Sequence, residues 1–524
     1  MSLTATRAAG ASASVSARPH DVLWTWLPLV AILAAAVVER HFVIGNADVT
    51  WLITACEKLL DGQRLYVDVF ELNPPAAIFL YLPAVALARM LGVDPQIVVD
   101  AQVFLAAMVS LAVASRIARC CRLLDGVRGS TIAAVVLAAL TILPAQTFGQ
   151  REHLALIAAL PVIATLTARA QGVRPLLWMS PVAGLGAGAT ICIKPYFVLA
   201  IGLAAGAAAL QRRSWRVLFT AELWIAGAVA IVYAVCTIVF YRAFFTDLMP
   251  VLTDVYLPVR LPLWKLLIGA PVALWAAALL IILILRRGAG PQPALAVLVS
   301  ASAGFAAAYL MQGKGWPYHS LPMLALVLIA LAIAIAYPRP ATAPDRNRDR
   351  AKSLGAKSLG ATAALGILAV SSFAYLNIAV DTRAAIALVK QVGPPHPSIV
   401  AITADPAIGF PLVRAVDGRW ISGHWGLWVT GNAATRRLER GLDEPMRRRL
   451  AADVATERQR LIGEIRDGKP DIILIDDRGP RWSEGVDGDR DLSALIAANY
   501  REVGIADDII VLKRDGMRGP GPKP

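Results

Sequence analysis

The feature that most limits this chain is a succession of apolar stretches, each close to the roughly 17 to 25 residues a helix needs to cross a bilayer. About eleven of them lie near residues 24–43, 96–115, 130–147, 153–168, 176–193, 196–210, 219–240, 263–285, 294–311, 320–337 and 361–379. Hydrophobic residues make up 57% of the chain and charged ones only 17%, far from the balance of a soluble protein. The expected fold is an α-helical polytopic membrane protein with about eleven transmembrane helices. The first run follows a Ser/Ala/Thr tail (1–22) and lacks a small-residue cleavage site, so it reads as a retained span rather than a signal peptide.

Between the spans, positive charge alternates. Arg116, Arg119, Arg122 and Arg128, then Arg169 and Arg174, then Arg212, Arg213 and Arg216, then Arg286 and Arg287, then Arg339 through Lys357 mark cytoplasmic loops. The intervening loops and everything after Val380 then face the other side. The net charge of +14 follows this pattern: 22 Lys and Arg stand against 21 Asp and Glu from Asp381 onward, and 29 against 16 before it. The excess reports orientation, not a nucleic-acid partner. The five cysteines show no ligand or disulfide spacing.

The first outer loop, 44–95, is unusual. From Val49 the apolar positions Val49, Leu52, Ile53, Cys56, Leu59 and Leu60 form the stripe of an amphipathic helix lying in the membrane interface. A polar hinge with Arg64, Tyr66, Asp68 and Glu71 leads to Asn73-Pro74-Pro75 and a second apolar helix ending at Leu91. At 1.5 Å per residue, Ala76 to Leu91 is about 24 Å long, nearly enough to cross, and charge counting leaves that point open. The tandem AKSLGAKSLG in the polar loop 339–360 reads as a tolerated duplication. After the last span, SIVAIT, DIILIDD and DDIIVLKR read as strands and Ala433 to Arg466 as helices. The chain therefore divides into the tail, a transmembrane unit (23–380), a small extracytoplasmic α/β domain (381–515) and a loose end (516–524).

Ionisable residues at membrane depth are costly and so mark function. Here they collect at the outer ends of the spans: Asp48; Gln150, Arg151, Glu152 and His153; Lys194 and Tyr196; Asp254, Tyr256 and Arg260; Lys314, Tyr318 and His319. If the helices form a ring, these line one cavity. Each has a plainer role beside it. Asp48 also suits the positive end of a helix, Lys194 can snorkel to headgroups, QGKGWPYHSLP can be an aromatic-belt turn, and Asp254 and Arg260 can be anchors. GLGAGAT near Gly184 reads as close helix packing, since no strand precedes it. The absence of a Walker loop, a dinucleotide fingerprint, HExxH and CxxC argues against an ATP-driven pump or a redox enzyme.

An aspartate right after the first span, LLDGQRLYVDVFELNPP, a further apolar helix ending in LG, a many-span body and a C-terminal domain together resemble the GT-C glycosyltransferases. Among them the nearest branch is the bacterial protein-mannosyltransferase-like family 39, which includes lipid-linked sugar transferases. The resemblance implies transfer of one sugar from a polyprenyl-phosphate donor to an extracytoplasmic lipid, glycan or protein at a bacterial inner membrane. It places the catalytic base on Asp48 and a second carboxylate on Glu152, and makes Pro75 to Leu91 a juxtamembrane helix. Two positions depart from the family: Val49 stands where a second acid is common, and Asn73 where a Lys or His often precedes the prolines. Lys194, Arg260, Lys314, His319 and Arg151 are then the cations expected at the donor phosphate. Tyr66, Glu71, Asn73, His153, Tyr196 and Tyr318 are expected at sugar or acceptor. Glu152 with His153 could hold a divalent cation, but two ligands make an incomplete shell, and no cofactor is otherwise implied. The rival readings are a flippase for a lipid-linked glycan, which would need polar residues along a whole path, and a non-catalytic partner in envelope polysaccharide assembly.

Overall fold

Leucine-, valine- and alanine-rich runs become long helices because only a helix satisfies its own backbone in lipid. The computed structural model describes residues 19–125, 127–288, 290, 292–337, 348–439, 441–478 and 489–516, with backbone alone at 19–25 and 348–358. The tail before Pro19, the basic loop 338–347 and the end beyond Gly516 lie outside the described residues. Among those described, seven helices are long and apolar enough to cross a membrane: Pro95–Cys120, Arg151–Ala170, Pro195–Arg212, Ala221–Phe240, Pro293–Gln312, Pro317–Ala336 and Leu359–Leu376. The segment Trp26–Phe42 joins them if it and Ala47–Leu60, bent by 80° to each other, count as one broken span. The runs near 130, 176 and 270 form shorter apolar helices, Gly129–Thr141, Met179–Ile193 and Ala270–Arg286.

Burial sorts these helices. Pro317–Ala336 and Arg151–Ala170 are central, whereas Ala221–Phe240 exposes Trp224, Ile231, Val235 and Phe240. In lipid an exposed apolar face needs no cover, so helix association rests on close packing. The glycines of GLGAGAT provide it: a Cβ added at Gly186 would stand 2.4 Å from the Ala158 carbonyl, and one at Gly188 would stand 2.6 Å from Val229. Gly304 sits equally tight, its added Cβ 2.4 Å from Ala200 Cα.

Three local expectations are corrected. The helix Ala47–Leu60 is not half exposed: Thr50, Thr54 and Lys58, on its polar faces, are buried as well as Leu52 and Ile53. The C-terminal domain rests on it, with Phe410 against Trp51 and Arg414 paired with Glu57 at 2.9 Å. The following apolar helix breaks at Leu80 and Tyr81 into Ala76–Phe79 and Leu82–Leu91, and the latter, about 15 Å long, is too short to cross. The duplicated AKSLG stretch is helical rather than looped, within Arg348–Leu376.

The C-terminal domain holds five strands: β1 (Ser398–Ile402), β2 (Arg419–Trp420), β3 (Ile472–Asp476), β4 (Tyr500–Ala506) and β5 (Ile509–Arg514), in the order β2-β1-β3-β5-β4. β1 runs parallel to β2 and β3, and β5 antiparallel to β3 and β4. Asp507 and Asp508 are a two-residue turn with φ of 53° and 57°, not the start of a strand. The helix Glu444–Gly468 packs Leu461, Ile462 and Ile465 into a core with β1 and β3.

The glycine contacts predict an asymmetry. Gly304→Ala should lower the thermal midpoint of the detergent-solubilised protein, costing about 1–3 kcal/mol by overpacking. Gly206→Ala, where an added Cβ meets nothing within 4 Å, should leave it unchanged or raise it. Size-exclusion recovery after heating measures both.

Candidate active site

The site begins where two helix N-termini meet. Asn46 caps the helix Ala47–Leu60, its Oδ1 accepting from the backbone N–H groups of Asp48 (3.0 Å) and Val49 (3.2 Å). Gln150, at the start of Arg151–Ala170, donates from Nε2 to Asn46 Oδ1 (2.7 Å) and to Asp48 Oδ2 (3.0 Å). The next residue, Arg151, spans two carboxylates. Its Nη2 lies 3.7 Å from Asp48 Oδ2 and its Nη1 lies 3.6 Å from Glu71 Oε1. The Asp48 side chain is 26% exposed and that of Arg151 only 6%, so the aspartate is the acid a water-borne group can reach. Glu71 is held by Trp51 Nε1 at 2.7 Å and by Asn73 N and Nδ2 at 3.0 and 2.5 Å.

A second cluster adjoins the first through Glu152. Pro195 disfavours helical backbone at the residue before it, and Lys194 is extended, with φ −148° and ψ 124°. The helix Met179–Ile193 therefore stops and the lysine turns inward. Its Nζ donates to Glu152 Oε1 (2.5 Å) and Gln312 Oε1 (2.8 Å) and lies 3.2 Å from His319 Nε2. An ammonium has three protons. Donating the third to His319 Nε2 assigns the ring proton to Nδ1, which makes no hydrogen bond. Arg151 Nε and Nη1 and Glu152 Oε2 are likewise buried without a hydrogen bond. Tyr318 stands alongside, the Lys194 ammonium 5.8 Å from its ring centroid.

Other expected site residues brace this chamber. His153 accepts from Gly149 N–H at Nδ1 (3.0 Å) and meets the Leu140 carbonyl at Nε2 (2.7 Å), so both nitrogens are engaged by backbone. It does not converge with Glu152, and the idea of that pair holding a divalent cation is withdrawn. Among the described residues no three His, Cys, Asp or Glu are placed to hold a metal. Tyr66, at φ 66°, donates to the Asn73 carbonyl (2.6 Å) and packs on Tyr241 and Phe244, fixing the hinge. Lys314 donates to the Tyr256 and Val259 carbonyls, both at 2.6 Å, and lies over the Tyr256 ring. Burial, with Arg260 nearby, pushes its amine down to about 8. Arg260 is exposed, its Nε donating to the Leu257 carbonyl, and Tyr196 is half-buried at the helix break.

Sequence reading passed over the roles of Gln312 and Trp51 and the reach of the C-terminal domain. Phe70 N–H donates to the Gly423 carbonyl (2.9 Å), its ring stacks on His424 at 4.3 Å, and the Arg460 guanidinium covers the ring at 3.9 Å. Burial and Arg460 hold His424 down at about 3, so the imidazole is neutral. Asp254, read as an anchor or a site residue, pairs with Arg449 of the domain at 3.4 Å.

The buried pair yields a prediction. Lys194→Gln alone leaves Glu152 uncompensated and should destabilise by about 3–5 kcal/mol, whereas Glu152→Gln with Lys194→Gln should cost less than the single change. Thermal midpoints of the three detergent-solubilised variants test the coupling.

No protein-family model matches the sequence, and no curated protein sequence matches it either. Solved structures do match. The chain is similar to ArnT from Cupriavidus metallidurans in the apo state, with a TM-score of 0.54 at 14% identity, over 94% of this chain and 98% of that one. It is similar also to the same protein bound to undecaprenyl phosphate, with a TM-score of 0.55 at 14% identity, over 95% and 99%. The correspondence includes the bundle and the C-terminal domain alike. The chain is a multi-pass membrane protein with the GT-C fold.

Proposed function

We propose that this protein is a membrane glycosyltransferase that moves one sugar from a polyprenyl-phosphate donor to an extracytoplasmic acceptor. The observation that carries the reading is the chamber itself. A reachable carboxylate, Asp48, stands beside Arg151, whose buried Nε and Nη1 make no hydrogen bond, and the adjoining Glu152–Lys194 pair holds His319, whose buried Nδ1 makes none either. The fold likeness supports it, because one neighbour of that fold binds undecaprenyl phosphate.

In this reading the acceptor hydroxyl attacks the anomeric carbon, the bond from that carbon to the phosphate oxygen breaks, and Asp48 takes the hydroxyl proton. The polyprenyl phosphate leaves with one more negative charge than it had as a diester. Protonation of Asp48 removes one negative charge from the chamber in the same step, so the local balance is kept. Arg151 and His319 meet the phosphate where charge develops, which is where preorganised donors act. Lys194 is neutralised by Glu152 and sets the His319 tautomer, while Arg260 at the mouth attracts the anionic donor. Tyr196 and Tyr318 face sugar or acceptor, and Glu71, held by Trp51 and Asn73, positions Arg151.

The chamber side and the domain from Asp381 to Asp515 then face outward from a bacterial inner membrane, and the arginine-rich loops face the cytoplasm. A flippase would need polar groups through the depth of the bundle, yet the central helix Pro317–Ala336 is apolar from Leu321 onward.

Asp48→Asn should fold and accumulate as the parent does but lose about 10²–10⁴-fold in transfer, the usual contribution of a positioned base. Purified protein incubated with a panel of polyprenyl-phosphate sugars, with release of polyprenyl phosphate as the readout, tests this. Undiminished release by the variant would remove Asp48 from the mechanism.

A further inference from the structure

A second polar cavity lies away from the chamber. It is a groove of about 380 Å³ between the helices Ala47–Leu60 and Leu82–Leu91 on one side and β2 with the turn before it on the other. Lys58, on its wall, is ten residues from Asp48 along one helix, a separation of about 15 Å.

The charges of the groove do not cancel. Glu57 pairs with Arg414 at 2.9 Å, Asp61 with Arg89 at 2.8 Å, and Asp417 with His396 at 2.8 Å. His396 carries charge only when protonated, so of the lining side chains Lys58, Arg89, Arg414 and Arg419 stand against Glu57, Asp61 and Asp417, an excess of one positive charge, with Lys58 and Arg419 outside the close pairs. Lys58 is 7% exposed, forms no ion pair among the described residues, and makes one long hydrogen bond, 3.4 Å to the Ile421 carbonyl. Glu464, the carboxylate facing it from the domain, is occupied by the Gly423 N–H at 2.9 Å. Arg419 is exposed, and its guanidinium has no hydrogen bond or ion pair among the described residues. Glu464, Asp61 and Glu57 act on the Lys58 ammonium from a distance, but none makes a close ion pair with it, and a buried ammonium without a close counter-ion is costly unless an anion joins it.

The groove also has an apolar rim. Met90 and Leu91, at the end of one wall helix, are 83% and 62% exposed, and Ile97, in the first turn of the next span, is 65% exposed. These apolar side chains belong among acyl chains, so the rim of the groove stands at headgroup level.

We propose that this groove binds a phosphate group through Lys58 and Arg419, a site separate from the reaction chamber. Its source is either the headgroup of an anionic lipid in the adjoining leaflet or a soluble phosphate. An ammonium and a guanidinium converging on one opening suit an oxyanion, and the apolar rim gives a lipid tail an exit.

The test uses the full chain in detergent, with binding of phosphatidic acid, diacylglycerol and inorganic phosphate measured by native mass spectrometry and competition. Phosphatidic acid should bind and diacylglycerol should not, and Arg419→Glu should weaken binding about tenfold or more. Arg419 is exposed, so that variant keeps its fold, and Lys58→Gln should act in the same direction. Displacement only by phosphatidic acid identifies a lipid headgroup; equal binding of inorganic phosphate identifies a soluble ligand. Phosphatidic acid held equally well by the parent and by both variants, or no binding of either phosphate probe, would overturn the proposal. The readout needs no sugar donor, and Asp48→Asn should bind as the parent does, so the outcome is independent of the transfer reaction.

Discussion

Charge carried to membrane depth has to be paired, and the pairing of Glu152 with Lys194 is the constraint around which the bundle is arranged. Moving either ion out of water costs several kcal/mol even after relaxation, so neither can stand alone on its helix. Each must be delivered to the other from spans distant in sequence, together with Gln312 and His319 from two more. Four helix ends are thereby obliged to converge. A buried ion pair at the far end of the bundle gives the comparison. There Glu222 accepts from Arg169 at 2.9 and 3.1 Å and from Ser180 at 2.9 Å, and both its oxygens are satisfied. That network is complete. The chamber keeps Arg151, Glu152 and His319 with atoms that make no hydrogen bond, and an incompletely satisfied buried network is where a ligand finds its partners.

Convergence depends on a few backbone devices. Proline after Lys194 turns that side chain off the helix axis. Gly313 and Gly315, at φ 70° and 72°, fold the segment between two spans tightly enough for Gln312 and His319 to reach the same lysine. Asn46, capping one helix and receiving Gln150 from another, locks the two N-termini together, so that Asp48 and Arg151 face one another. In each case a local rule of backbone geometry sets the position of a charged atom.

These devices explain what could be read in advance. The apolar runs, the strands SIVAI and IILID, and the gathering of charge at one end all follow from composition and periodicity, which are local. That charged residues opening the apolar spans would find partners among themselves was legible, because ionisable groups are costly there, and Arg151, Glu152, Lys194 and His319 do so. Their division of labour was not. Lys314 and His153 are the same chemical types as Lys194 and His319, yet backbone carbonyls and an N–H engage them, and only the fold decides which nitrogen meets which oxygen. The helix Ala47–Leu60 was misjudged for a similar reason: its polar faces look solvated until a domain more than 350 residues downstream reaches Lys58. Strand β4 escaped because Tyr500–Ala506 alternates weakly and gains its identity from pairing with β5.

That downstream cover also bears on the chemistry. Arg151 is suspended between Asp48 and Glu71 at 3.7 and 3.6 Å, longer than a hydrogen bond on either side. Its position is thus sensitive to small movements of Glu71. The hinge carrying Glu71 is fixed one residue away, where Phe70 is hydrogen-bonded to Gly423 and stacked on His424, with the Arg460 guanidinium in contact with both rings. Gly423 is required for that approach, since an added Cβ would lie 2.3 Å from the Asp68 carbonyl. The C-terminal domain therefore reaches the charged centre without contributing a side chain to it. It holds the hinge, the hinge holds Glu71, and Glu71 shares the Arg151 guanidinium with Asp48.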